Sequence, residues 1–166
     1  MAFISEKIID LMNYRIHEEE LSARLYKAMS VWLNYNGFTG AAALWDSYSK
    51  EEVIHSEKAY NYLLDLDILP EVPTLEQPQI TFTNFQEVIQ ESYKHELVVT
   101  GQCNRLAKVA FEEGDFMTMN LAQWYLNEQT EEISKTKGWV DKLNAFGQSK
   151  EALRLLDNEM AELIND

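Results

Sequence analysis

The chain has 166 residues, of which 46% are apolar and 25% are charged, so it can bury the core of one domain but is too short for two ordinary ones. Its 28 acidic and 14 basic residues leave a formal net charge of −14. This balance argues against nucleic acids and anionic membrane surfaces as partners, because both are bound through Lys and Arg. Cys103 is the only cysteine, which excludes an intramolecular disulfide and a multi-cysteine metal site.

The N-terminal residues show no basic start followed by a long apolar run, and no stretch of the chain approaches the length of an apolar membrane span. We therefore expect neither a secretory signal nor a transmembrane helix. Together with the single cysteine, these features predict a soluble protein of the reducing cytoplasm.

Five helices are predicted from the apolar spacing and from residues that begin or end helices. Their expected ranges are about 5–36, 39–66, 83–113, 115–146 and 150–164. Ser5, Asp115 and Ser149 are the expected N-caps of the first, fourth and fifth helices, and Thr83 with Gln86 forms an expected capping box for the third. At 1.5 Å per residue, each of the first four helices is roughly 40–45 Å long.

The connections between these helices predict their arrangement. Short turns at Gly37–Gly40 and at Gly114 join the first two and the last two long helices into antiparallel hairpins. The connector from about Asp67 to Phe82 holds all three prolines and, when extended, can cover roughly 50 Å, so the second and third helices can run parallel. A four-helix bundle with one long crossover has the ferritin-like connectivity. We expect an all-α single domain over residues 1–166, with the bundle at about 5–146 and a short C-terminal helix at about 149–164.

Each of the four long helices has polar residues where its apolar stripe predicts a core side chain. They are Glu19, Glu52, His55, Glu96, Gln129 and Glu132. All lie about fifteen to eighteen residues from a hairpin turn, so antiparallel pairing brings them to one level of the bundle. Burying several unpaired carboxylates together costs several kcal/mol for each group, and a bound cation removes that cost.

The chemistry of these residues favours a metal site. Glu52 and His55 are spaced i, i+3 and can chelate one ion, and oxygen donors with one imidazole suit iron, manganese or zinc. Di-iron carboxylate bundles use one Glu from each of two helices and a Glu-x-x-His pair from each of the other two. The chain supplies Glu19, Glu96 and one such pair, but its fourth helix has Gln-x-x-Glu without a second histidine. The alternatives are a metal-free buried polar network and a helix phase that turns these residues outward.

The chain resembles the non-haem ferritins of bacteria over essentially its whole length. Four segments carry the resemblance: HEEELSARLYKAMSVWLNYNGFTGAA, SKEEVIHSEK, ESYKHELVVTGQCNRLA and LAQWYLNEQTEEISK. It implies a ferroxidase centre in which Glu19, Glu52 and His55 hold the first iron. Glu52 is the implied bridge to a second iron, held by Glu96.

The resemblance also implies roles for residues around this pair. Gln129 and Glu132 lie alongside the second iron site. Glu51, Glu128 and Glu131 match a third, looser acidic site described for bacterial members, although spacing alone is equally consistent with a solvated face. Tyr26 lies two turns after Glu19, where ferritins have a tyrosine thought to donate an electron during iron oxidation. A core aromatic whose hydroxyl bonds a carboxylate is the alternative for Tyr26, and the two interpretations are compatible.

Related families differ at particular residues. A rubrerythrin needs four further cysteines. A bacterioferritin usually has Glu-x-x-His on its fourth helix and a haem-ligating methionine after the bridging glutamate, where this chain has Val53, so haem is not expected. The mini-ferritins that protect DNA place their ligands between subunits and lack the pair formed here by Glu52 and His55.

The function implied by the resemblance is iron storage with ferroxidase activity. Fe(II) is oxidised to Fe(III) by O2 or H2O2 at a di-iron centre, and the product is mineralised inside a homo-oligomeric shell of twenty-four subunits. Two alternatives stay open. One is a di-metal oxidase or peroxide-detoxifying protein that stores nothing, and the other is a metal-free helical scaffold.

Overall fold

The computed structural model describes residues 3–165, without the side chain at position 165. Within this range the regular secondary structure consists of five α-helices: α1 (Glu6–Tyr35), α2 (Thr39–Asp65), α3 (Phe85–Glu113), α4 (Phe116–Phe146) and α5 (Lys150–Asn165). The all-α fold predicted from the sequence is confirmed. No helix in the described part of the chain is both long and apolar enough to cross a membrane.

Most helix ends follow the local sequence. The Ser5 hydroxyl accepts a hydrogen bond from the Ile8 N–H at 3.2 Å, and the Asp115 carboxylate accepts one from the Thr118 N–H at 3.0 Å. Gly114 ends α3 in the left-handed conformation, with φ of 69°, which glycine adopts at no steric cost. The N-caps predicted at Ser5 and Asp115 are confirmed.

The N-cap predicted for α3 is wrong by one residue. Asn84, not Thr83, is the cap, and its side chain accepts a hydrogen bond from the Glu87 N–H at 2.9 Å. The Glu87 carboxylate in turn accepts the Thr83 N–H, so the capping box uses Asn84 and Glu87 rather than Thr83 and Gln86. Asn caps at least as well as Thr, and a carboxylate also interacts favourably with the positive end of the helix.

The four long helices form a bundle with one crossover. Ser5 at the start of α1 hydrogen-bonds Glu113 at the end of α3, so these helices are antiparallel. In the α1–α2 hairpin the Ser30 hydroxyl donates a hydrogen bond to the Ala42 carbonyl oxygen close to the turn. Because α1 is antiparallel to both α2 and α3, those two helices run parallel, and residues 66–84 connect them along the bundle.

The apolar core consists of two clusters, one at each end of the bundle. The first contains large aromatic residues and receives Leu156 and Met160 from α5. The second is aliphatic and includes Ile8, Leu63 and Leu106. Neither cluster includes any residue from 17–24 of α1, 49–58 of α2, 90–98 of α3 or 127–138 of α4. A polar layer therefore crosses all four helices between the clusters.

Helix α5 covers the end of the bundle near the α1–α2 turn. The Asp157 carboxylate accepts a hydrogen bond from the Ala41 N–H at 2.8 Å. At Gly40 the two backbones approach so closely that an added Cβ would lie 2.0 Å from the Asp157 carbonyl oxygen. A side chain at position 40 therefore requires α5 to move.

We expect Gly40→Ala to lower the free energy of unfolding by about 1–3 kcal/mol, because the new methyl group overlaps a backbone oxygen. Gly101→Ala is the matched control, since a Cβ there has no neighbour within 4 Å. The control should gain about 0.5–1 kcal/mol from helix propensity. Chemical denaturation followed by circular dichroism measures both, and equal stability of the two variants would contradict this account of α5 docking.

Candidate metal centre

The polar layer holds the six residues singled out from the sequence. Glu19, Glu52, His55, Glu96, Gln129 and Glu132 are each 5% exposed or less. They come from all four long helices, and the two apolar clusters above and below them limit the access of water. A group of carboxylates in such a place needs partners, because their charges are poorly solvated there.

Glu19, Glu52 and His55 come close enough together to bind one ion. Each offers one ligand atom, and these atoms lie within 4.8 Å of one another. His55 Nδ1 is 3.1 Å from Glu52 Oε2 and 3.7 Å from Glu19 Oε2. Among the described residues, Glu19 Oε2 accepts no hydrogen bond although it is buried. A buried carboxylate oxygen without a donor, beside an imidazole and a second carboxylate, fits a site for a cation such as Fe(II).

Glu96 lies in the same layer but is held by donors from the protein itself. The Tyr26 hydroxyl donates to Glu96 Oε1, and Gln129 Nε2 donates to Glu96 Oε2 at 3.0 Å. Gln129 also donates to Thr100 Oγ1 at 3.2 Å. Both Glu96 oxygens thus have a donor from the protein, and each keeps one further lone pair.

The residues predicted for the third acidic site are not gathered into one group. Glu51 pairs with Lys135, whose Nζ lies 3.2 Å from Glu51 Oε2. Glu128 Oε2 lies 3.6 Å from His55 Nε2, and Glu131 is exposed. These carboxylates therefore face different neighbours in this structure.

Two cationic side chains in the site were not predicted from the sequence. Arg15 is 2% exposed, and its Nε lies 2.7 Å from Glu19 Oε1. Lys135 Nζ lies 3.0 Å from Glu132 Oε1. A signal was present in both cases, because Arg15 precedes Glu19 by four residues and Lys135 follows Glu132 by three, and such spacings place side chains side by side on a helix. The apolar stripe of the first helix includes Ile16, which places the adjacent Arg15 outside the predicted buried face.

These partners set the ionisation of the buried groups. Burial raises the pKa of Glu19, but the positive charges of the Arg15 guanidinium and of His55 outweigh it and lower that pKa to about 2. Burial raises the pKa of Glu52 well above its usual value. Burial lowers the pKa of His55, but the neighbouring Glu19 and Glu52 carboxylates raise it to about 10. Near pH 7 Glu19 is therefore a carboxylate and His55 holds a proton, while burial favours the neutral form of Glu52.

The other buried acids are also affected by their surroundings. Burial raises the pKa of Glu96, against the hydrogen bonds from Tyr26 and Gln129. Burial raises the pKa of Glu132 to about 7, although the Lys135 ammonium opposes the shift. Internal cations and hydrogen bonds thus offset part of the cost of burying these carboxylates.

Comparison with known proteins agrees with the fold and the site. The model of a family described as ferritin-like domain matches residues 9–146. The chain belongs to the ferritin family. The bacterial non-heme ferritin of Escherichia coli O157:H7 is 37% identical over 160 residues, which cover 96% of this chain and 97% of that protein. The bacterial non-heme ferritin of Campylobacter jejuni is 33% identical over 154 residues, 93% of this chain and 92% of that protein.

Solved structures of ferritins also match the fold of this chain. The open pore ferritin of the hyperthermophilic archaeon Archaeoglobus fulgidus superposes on this chain with a TM-score of 0.93 at 32% sequence identity, covering 97% of this chain and 98% of that one. The family resemblance drawn from the four sequence segments is therefore confirmed. The predicted ferritin-like four-helix bundle with a short C-terminal helix is confirmed as well.

We expect Arg15→Met to destabilise this ferritin-family chain by about 3–5 kcal/mol at neutral pH without metal, because it leaves the Glu19 carboxylate buried without its cation. Arg24→Met is the control, since Arg24 is exposed on the same helix, and it should change stability by no more than about 0.5 kcal/mol. Chemical denaturation measures the difference. The double variant Arg15→Met/Glu19→Met should recover most of the loss, and a single variant as stable as its control would disprove this role of Arg15.

Metal binding should release protons and tighten as the pH rises. A metal ligand must be an unprotonated imidazole or a carboxylate, whereas His55, with a pKa raised to about 10, holds a proton near pH 7, and the raised pKa of Glu52 favours its neutral form. Each proton released adds up to about tenfold in affinity per pH unit. Anaerobic Fe(II) calorimetry in two buffers of different ionisation enthalpy counts these protons. An affinity that stays constant between about pH 6 and pH 8 would contradict the assigned protonation.

Proposed function

We propose that this chain oxidises Fe(II) to Fe(III) with O2 or H2O2 at a di-iron centre and stores the ferric product as a mineral inside a homo-oligomeric shell. The observation that carries the proposal is the buried group of Glu19, Glu52 and His55, with an undonated carboxylate oxygen, in a chain of the ferritin family. The donor set supports iron, because hard oxygen ligands with one imidazole suit Fe(II) and no thiolate is present at the site.

In this proposal Fe(II) is the substrate, and the residues divide into two sets. Glu19 and His55 bind the first ion, and Glu52 bridges to the second. Glu96 binds the second ion, with Gln129 and Glu132 alongside it. Each Fe(II) supplies one electron, so a pair supplies the two electrons that reduce O2 to H2O2 or H2O2 to water.

The chain contributes geometry, proton acceptors and a dry site to this reaction. His55 loses its proton as the ions bind, and Glu19 remains ionised throughout because Arg15 stays beside it. The two apolar clusters keep bulk water from the layer, which strengthens the binding of charge inside it.

The surroundings of Tyr26 support the role that the resemblance implies. Its hydroxyl donates to Glu96, so the phenol has a proton acceptor if it gives up an electron. Its ring is also buried in the aromatic cluster, edge-on to Tyr48 with centroids 5.9 Å apart. We propose that Tyr26 serves both packing and electron donation. No haem is part of the proposal, because Val53, next to the bridging glutamate, has no donor atom for it.

Storage requires assembly, and several observations favour it. Leu69 and Val72 in the crossover are 88% and 82% exposed, as expected of residues that meet another subunit. The Archaeoglobus fulgidus protein is described as an open pore ferritin, and an engineered closed form of it, with a TM-score of 0.92 to this chain, is also known. The net charge of −14 favours the attraction of iron cations to such a shell. The count of twenty-four subunits and the cytoplasmic location stay predictions from the sequence.

Glu52→Ala tests the proposal at its central ligand. We expect the initial rate of aerobic Fe(II) oxidation, followed by the absorbance of Fe(III), to fall about 100-fold because both ions lose a ligand. Glu57→Ala on the same helix is the control, since Glu57 is exposed, and it should oxidise iron at the parent rate. Native mass measurement should show the same assembly for all three proteins.

The outcomes separate the candidate functions. Parent protein that elutes as a large assembly with iron retained after aerobic loading supports storage. A dimer that oxidises iron but retains none favours the non-storing oxidase. Parent protein without saturable Fe(II) uptake leaves only the helical scaffold, and undiminished oxidation by Glu52→Ala refutes the ligand assignment.

A further inference from the structure

Lys135 joins two carboxylates at the edge of the polar layer. Its Nζ lies 3.0 Å from Glu132 Oε1 on its own helix and 3.2 Å from Glu51 Oε2 on α2. Glu132 is 3% exposed, whereas the side chains of Lys135 and Glu51 are 37% and 40% exposed. The ammonium thus links a buried acid of the site to an acid at the surface.

The lysine also separates the site from a surface groove. This groove, of about 750 Å³, runs between α2 and α4 and ends against α5. Its lining includes Glu51, Lys135, Tyr48 and Trp139, while Glu132 is not part of it. Lys135 Nζ lies 6.0 Å from the centre of the Tyr48 ring, which lines the groove beside it. A cation coming from the groove meets Lys135 before it reaches Glu132.

An ammonium and a metal ion compete for the same carboxylate oxygens. Lys135 places one positive charge between Glu132 and Glu51, and a divalent cation at that point has to expel it. The competition is local, because Arg15 and His55 lie with Glu19 and Glu52 rather than with this pair. Replacing the ammonium by an uncharged chain of similar length leaves two carboxylates from adjacent helices facing each other without a cation.

We propose that Lys135 is a built-in cation that occupies the place of an additional metal ion between Glu132 and Glu51, and so limits the number of ions that the chain binds tightly. This inference rests on the proposed function and deepens it, since it states which residue sets the metal stoichiometry of the same site. In this chain, Glu51 serves primarily as a lysine partner rather than as a metal ligand. Lys135 acts through these carboxylates and is a positioning residue.

The test counts tightly bound Fe(II) per chain by anaerobic titration calorimetry of the assembled protein. We expect about two ions for the parent and about one more for Lys135→Met, which keeps the length of the side chain but removes its charge. Lys135→Arg keeps the charge and should bind as the parent does. In Lys135→Met/Glu51→Gln the additional acid is also lost, and the count should return to that of the parent.

Lys142→Met is the matched control. Lys142 lines the same groove but pairs with Glu159 and lies over the Trp139 ring, so its loss should leave the count unchanged. Native mass measurement and circular dichroism check assembly and helix content in every variant.

Two results overturn the inference while leaving the proposed function intact. One is that the parent and the Lys135→Met variant both bind about two ions. The other is a Lys135→Arg variant that gains an ion as the Met variant does, since charge would then not be the cause. A parent that binds no Fe(II) refutes the proposed function itself, so the two failures are distinguishable.

Discussion

The burial of four glutamates in one layer of the bundle is the constraint on which the rest of the structure depends. Glu19, Glu52, Glu96 and Glu132 are each at most 4% exposed, in a place where isolated carboxylates are strongly disfavoured. Groups within the protein offset the cost of burying these carboxylates in several ways. Arg15, Lys135 and the protonated His55 supply positive charge, Tyr26 and Gln129 donate hydrogen bonds to Glu96, and burial favours the neutral form of Glu52. From the sequence, a bound cation is the expected source of this neutralisation, with a metal-free polar network as the alternative.

The internal cations differ in how easily a metal ion can replace them. Arg15 is fully enclosed beside Glu19 Oε1, and the other oxygen of that carboxylate is left without a donor. An ion can therefore bind Glu19 while Arg15 stays in place. Lys135 is partly exposed at the groove and can swing out, because its stem is flexible. The same layer thus combines a permanent counter-ion with a displaceable one.

The register of the helices determines where this layer lies, and the apolar clusters enclose it. The long crossover makes α2 and α3 parallel, so that Trp45 near the start of α2 donates to Ser92 near the start of α3 at 2.8 Å. This register brings His55 and Glu96 to the same level as Glu19. The two apolar clusters then isolate the layer from both ends, and α5 adds Leu156 and Met160 to one of them. Stability and site geometry therefore come from the same packing.

The periodicity of the sequence sufficed for the helices, the crossover and the inward face of the six polar residues, because a 3.6-residue repeat reports directly which face of a helix is buried. The short fifth helix was predicted from Ser149 as its N-cap. The cap of α3 was misplaced because Thr83 and Asn84 are adjacent candidates, and only the position of Phe85 against the core chooses between them.

The sequence by itself determined the family, the bundle and the buried acids. The tertiary structure decided the partners of those acids. Lys135 reaches Glu51 on another helix, and Gln129 reaches Glu96, only after the four helices have packed in register. Distances between side chains on different helices depend on that packing and on rotamers, and neither is written in the spacing of residues along one helix.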